Sequence, residues 1–226
     1  LGIGAISLLM KNYNGASISL LCVGKQREKV QSILVGSKNK DIKTYYYSKE
    51  QFIKSILESY VNRLFSIPPS KGISSLIASS DIVFDINEGD SFSDIYGLKR
   101  IIRHFTDSKL ILSWKKPLVF LPQTIGPFNT IFGKLLAKHI LKRLNKLYVR
   151  DNKAVKFLNK INIKEELSID MAVYMEPKDT AVQIKPNTVG INVSGLMYLK
   201  RYKSLKGMYD EYPEFLNKLI QKVLEN

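Results

Sequence analysis

The sequence predicts an α/β fold, a parallel β-sheet with helices on both faces. Three observations lead there. Strand-like and helix-like segments alternate from residue 1 to about 176, the pattern of repeated βα units. The strand-like segments are short apolar runs bounded by turn-forming residues. Three corners rich in small, polar or charged residues all follow strands, which in a parallel sheet places them on one edge.

Residues 1–13 read as a helix, with Ile6, Leu9, Met10 and Tyr13 on one face. A strand over 16–23 holds the apolar run Ile18-Ser19-Leu20-Leu21-Cys22-Val23. A helix over 25–34, a strand over 42–47 and helices over 49–65 and 72–79 come next. The strand over 81–86 alternates acids with β-branched or aromatic residues, and a helix over 94–105 follows its corner. Strands over 117–121, 146–149 and 166–169 alternate with helices over 131–144 and 151–158. Pro177 and Pro186 then interrupt the rhythm in a segment without a periodic apolar face. The expected organisation is a first domain over 1–176, a linker over 177–188 and the start of a second domain over 189–226. That second unit would hold a strand over 189–193, a Ser194-Gly195 turn and a helix over 209–225. One strand and one helix cannot bury a core, so the expectation is a chain cut short at both ends, with most of the second domain missing.

Composition narrows the function classes. The 226 residues are 45% hydrophobic and 24% charged, ordinary globular material. The apolar run from Leu1 stops at Lys11, too short to span a bilayer and without a basic leader. The reading is a soluble, cytoplasmic protein. Cys22 is the only cysteine, which excludes an internal disulfide and a cysteine-rich metal site. Its place in an apolar strand predicts a buried, inert thiol.

The net charge is +15. From Lys134 to Lys164 ten Lys and Arg residues share the chain with one acid, Asp151. A solvated basic face is the default reading, and weak attraction to the inner face of a membrane is the second. No zinc spacing, helix-turn-helix or RNP-type motif occurs, so nucleic acid is not an expected partner. No G-x-G-x-x-G occurs either, which disfavours a nicotinamide enzyme. No metal site and no resident cofactor are expected.

The three corners are Asn87-Glu88-Gly89-Asp90-Ser91-Phe92-Ser93-Asp94, then Leu121-Pro122-Gln123-Thr124-Ile125-Gly126-Pro127-Phe128, then Tyr148-Val149-Arg150-Asp151. Each has a plain structural reading. Asp94 and Asp151 can cap the helices that follow them. Gly89 and Gly126 can serve tight turns, and Arg150 can pair with a nearby carboxylate.

Taken in order, "GDSFSDIYG", "LPQTIGPF", "YVRD", "SIDMAVYMEP" and "VGINVSG" resemble the signature of the polysaccharide pyruvyl transferases over almost the whole chain. The resemblance implies two Rossmann-like halves of the glycosyltransferase-B kind, of which this chain would supply the first and the beginning of the second. It implies transfer of the enolpyruvyl part of phosphoenolpyruvate onto two hydroxyls of a sugar, leaving a cyclic ketal and phosphate. The expected partners are phosphoenolpyruvate and a sugar or lipid-linked oligosaccharide acceptor. The family's donor-binding arginine matches Arg150, a planar, permanently charged fork suited to a carboxylate or phosphate. Gly89, Asp90, Ser91, Asp94, Gln123 and Gly126 complete the expected substrate-binding set. At the first corner the family commonly shows two glycines before the aspartate, where this chain has Glu88-Gly89.

The reaction also needs an acid for the methylene carbon and a base for the sugar hydroxyl. The resemblance assigns these to the second half, so the present chain alone is expected to be inactive. His104 and His139 sit in predicted helices and read as packing residues. A glycosyltransferase using a nucleotide sugar on the same fold is the alternative enzyme, and an inactive truncated remnant is the non-enzyme alternative.

Overall fold

The computed structural model describes residues 2–24, 42–86, 91–175, 183, 185–198 and 210–225. Helix α1 (Gly2–Asn12) leads into the parallel pair β1 (Ser19–Val23) and β2 (Lys43–Tyr47). Helices α2 (Lys49–Phe65) and α3 (Ile73–Ser79) follow. The chain then runs β3 (Val83–Asp85), α4 (Leu98–Ser113), β4 (Leu118–Gln123), α5 (Ile131–Leu141), β5 (Lys146–Val149), α6 (Asn152–Lys160) and β6 (Glu166–Leu167). A 3-10 helix (Met171–Tyr174), a short α7 (Gly195–Tyr198) and α8 (Tyr212–Leu224) complete the described elements.

Strands β3, β4, β5 and β6 form one sheet in that order, and every neighbouring pair is parallel. The architecture is α/β with parallel sheets, compatible with a Rossmann-like fold. It differs from the expectation of a single sheet, because β1 and β2 form a separate ladder. The two ladders nevertheless share a core. Leu21 of β1 and Tyr47, the last residue of β2, pack against the cluster that includes Leu118 and Phe120 of β4.

Adjacent residues of a strand point to opposite faces, and two apolar clusters follow that rule. Val83 and Phe120 belong to the large cluster, built with Ile73, Ile101, Ile140 and Leu158 from α3, α4, α5 and α6. Their neighbours Phe84 and Leu121 belong to the small one, built with Ala5 of α1 and Met171 of the 3-10 helix. Helices therefore cover both faces of the four-stranded sheet. Helix α1 comes so close to the 3-10 helix that a Cβ on Gly4 would meet the Met171 carbonyl oxygen.

Local signals account for several boundaries. Ser48 and Gln51 form a reciprocal capping box at the start of α2. Asp151 caps α6 by accepting from the Ala154 N–H at 2.8 Å. Helix α4 starts at Leu98 instead of 94 and runs on to Ser113. Gly97, at φ 100°, takes its N-cap position, and Asp94 is engaged elsewhere. Residues 188–194 form no strand, against the expectation for 189–193; among the described residues no strand pairs with them, and a strand needs a neighbour's hydrogen bonds. Cys22 is half-buried instead of buried, since among the described residues β1 has a ladder partner on one side only. The helix expected over 25–34 and most of the linker expected over 177–188 lie outside the described residues.

Candidate functional site

Parallel pairing brings the ends of β3, β4 and β5 to one edge. The loops that follow them are tied to each other. Residues 91–97 and 124–130 continue the sheet as a parallel bridge between Phe92 and Ile125. The Phe92 N–H donates to the Thr124 carbonyl and the Gly126 N–H donates to the Phe92 carbonyl, both at 2.9 Å. Ser93 Oγ donates to the Pro127 carbonyl at 2.5 Å and accepts from the Ile95 N–H. Below them Phe92, fully buried, packs edge-on against Phe120 and Phe128. Burial of a side chain this size contributes roughly 2–3 kcal/mol, so the floor of the edge is anchored in the core.

Asp94 closes this floor. Its Oδ1 accepts from the Asn129 N–H at 2.7 Å. Its Oδ2 accepts from the Thr130 N–H at 2.8 Å and from the Thr130 hydroxyl at 2.5 Å. The Thr130 oxygen in turn accepts from the Gly133 N–H, capping α5. Burial alone would raise the Asp94 pKa, but the Thr130 hydroxyl and the two N–H groups outweigh it and hold the carboxyl below the usual range. Asp94 thus serves the start of α5 and not of α4, the helix that follows it. Gly133 leaves the room this needs, since a Cβ there would meet Asp94 Oδ2 and the Thr130 hydroxyl.

Arg150 follows β5 directly, its side chain one quarter exposed. Nη1 donates to Asp170 Oδ2 at 2.6 Å and Nε donates to Thr124 Oγ1 at 3.2 Å. The Thr124 hydroxyl in turn donates to Asp151 Oδ2 at 2.6 Å. Asp170 is itself fixed, accepting from the Ala172 N–H as cap of the 3-10 helix. The guanidinium therefore lies between a β4 loop and the segment after β6, oriented from two sides.

The other expected site residues fall around this pair of clusters. Ser91 is buried at the start of the first loop. The Gln123 side chain is wholly buried, and the Gln123 backbone carbonyl accepts from the Arg150 backbone N–H at 3.3 Å. Gly126 adopts φ 77°, where a side chain is strained, and lies against the Phe157 ring. Gly89 and Asp90 lie outside the described residues. Sequence reasoning missed Thr124, Thr130, Gly133 and Asp170 as parts of the arrangement. Thr124 and Asp170 stand inside two of the motifs, and an Asp two residues before an apolar N–H is a recognisable capping signal.

His104 is buried, with its ring edge-on to Phe92. His139 packs against Phe105, and burial, helped by Arg143 and Lys109, lowers its pKa. Among the described residues no cluster of three or more His, Cys, Asp or Glu could hold a metal ion, and no helix is long and apolar enough to cross a membrane.

Residues 25–226 match the family model described as polysaccharide pyruvyl transferase. The match includes all three corners and Asp170. No curated protein and no solved structure matches the chain.

Proposed function

The chain belongs to the polysaccharide pyruvyl transferase family, and from that premise we propose that its β3–β5 edge binds phosphoenolpyruvate for transfer to a sugar. In the proposed reaction two hydroxyls of the acceptor add to the enolpyruvyl carbon. The methylene carbon gains a proton, and the phosphate leaves with its bridging oxygen, so a cyclic ketal and inorganic phosphate result. Phosphoenolpyruvate is the donor substrate in this proposal, and the acceptor is a sugar or lipid-linked oligosaccharide of a cell-surface polysaccharide precursor. The same proposal carries a glycosyltransferase-B-like architecture, with a second Rossmann-like half facing this edge.

What supports the donor site is the position of Arg150. It stands at a strand end, between two loops, held by Asp170 and Thr124. A planar fork so held can engage a carboxylate or phosphate with two parallel hydrogen bonds. Asp94, bound on both oxygens, has a supporting role in this reading: it fixes the loops around the donor. His104 and His139 pack against aromatic rings inside helices and are not assigned the acid or base role.

The test is calorimetric titration of phosphoenolpyruvate into the chain, beside a nucleotide sugar and inorganic phosphate. Saturable binding of phosphoenolpyruvate, weakened in Arg150→Ala, is the expected result. Binding of the nucleotide sugar with none of phosphoenolpyruvate would overturn the proposal.

A further inference from the structure

Helix α5 turns an unusual face to solvent. Gly133, Ala137, Ile140 and Leu141 are buried. On the opposite side Ile131 is 78% exposed, Leu135 62% and Phe132 50%. Lys134, Lys138 and Lys142 are exposed on that same side, at the i, i+3, i+4 and i+7 spacing of one helical face. Ile131 is the first helical residue after the Thr130 cap. The apolar end of this face therefore adjoins the sheet edge that carries the candidate site.

The charge along α5 and the segment after it has one sign. Helix α5 carries no acid, and neither does the segment from there to Arg150. Asp94, at the helix start, is buried and hydrogen-bonded. Asp151, after β5, caps α6. Helix α6 adds exposed Lys153, Lys156 and Lys160. Three large apolar side chains in water, flanked by lysines on a helix that carries no acid, match an anionic lipid surface: aliphatic groups enter the acyl boundary and ammonium groups meet the phosphates. A polynucleotide would satisfy the lysines but not Ile131 and Leu135.

We propose that the exposed face of α5 is a membrane-docking surface for anionic phospholipid, which seats the β3–β5 edge next to the headgroups. This goes beyond the transfer reaction and stands whether or not phosphoenolpyruvate is the donor. Docking would hold the edge where a lipid-carried acceptor presents its sugar.

The experiment is co-sedimentation of the full chain with two kinds of vesicle. One is pure phosphatidylcholine, and the other is phosphatidylcholine and phosphatidylglycerol in equal parts. Binding to the second kind only, weakened by salt, is expected. Lys134→Gln with Lys138→Gln should weaken partition roughly thirtyfold, at about one lysine's surface attraction each. Ile131→Gln with Leu135→Gln should abolish what survives at high salt. All four side chains are exposed, so thermal melts should stay unchanged and separate docking from folding. Equal binding to both vesicles, or binding unaffected by either double variant, would overturn the proposal. So would the absence of vesicle binding together with self-association that Leu135→Gln abolishes, since the face would then join two copies of the chain. Phosphoenolpyruvate titration of the same variants should be unchanged, so failure here leaves the donor site untouched.

Discussion

Arg150 Nη1 lies 2.6 Å from Asp170 Oδ2, joining the end of β5 to the cap of the 3-10 helix. Both side chains are partly exposed, and such pairs contribute at most about 1 kcal/mol to stability. The contact matters more for direction. With Thr124 on the other side, it fixes the plane of the guanidinium before any ligand arrives.

Replacement of Arg150 by Ala should therefore lower phosphoenolpyruvate affinity far more than it lowers stability. A charge-assisted contact is worth roughly 1.5–3 kcal/mol, about a tenfold to hundredfold loss. Arg150→Lys restores the charge without the fork and should rescue only part of it. Calorimetry beside thermal melts checks this. Unchanged affinity with a lowered melting temperature would leave Arg150 as a scaffold residue.

Asp170→Asn tests the other partner. The amide keeps one oxygen for the Ala172 N–H, loses the acceptor that faced Arg150 and removes a negative charge beside the proposed donor position. Severalfold tighter phosphoenolpyruvate binding is expected, with little change in melting temperature. Weaker binding would mean that the full charge of Asp170 is needed to aim the guanidinium.

Asp94 gives a pH prediction with a definite sign. Its folded pKa lies below the ordinary value of 3.8, so the folded chain holds that proton less tightly than the unfolded one. The stabilisation is complete above about pH 4 and is lost as pH falls through the folded value. Asp94→Asn should cost roughly 2–3 kcal/mol at neutral pH, the worth of hydrogen bonds to a charged group. Urea melts at a series of pH values should show the gap between the two proteins closing in acid. A constant gap would mean that the carboxylate charge contributes nothing.

Gly133→Ala should destabilise, although alanine is the better helix former by up to about 1 kcal/mol. The new methyl would meet Asp94 Oδ2 and the Thr130 hydroxyl, displacing the cap of α5. Gly195→Ala is the control, with nothing within reach of its Cβ, and should leave the melting temperature unchanged. A Gly133→Ala variant as stable as the parent would show that the loop can move aside at no cost.

Local information made much of this fold legible. Helix α2 begins and ends where its pattern predicts, because its cap partners are three residues apart. The α/β alternation and the gathering of three corners follow from strand polarity. The start of α4 was not legible, because Asp94 bonds residues 35 and 36 positions away and no local pattern records that. The end of β4 was also hidden. Pro122 has no N–H, which argues for a strand end, yet β4 runs on to Gln123 with a register shift between Phe120 and Gln123 that accommodates it. Arg150 was readable as a strand-end cation, whereas its orientation by Asp170 depends on the turn after β6.

The bridge between Phe92 and Ile125 has a consequence for how such a protein can diversify. Sites on α/β folds commonly change partners through insertions and deletions in the loops after strands. Here the loops after β3 and β4 are bonded in register, and Asp94 clamps the far end of both. One residue gained or lost between Phe92 and Asp94, or between Thr124 and Thr130, would misalign the other loop and release the start of α5. Length variation at this edge is thus coupled, and new acceptor preferences would arise more readily by exchanging side chains, or from segments outside these two loops.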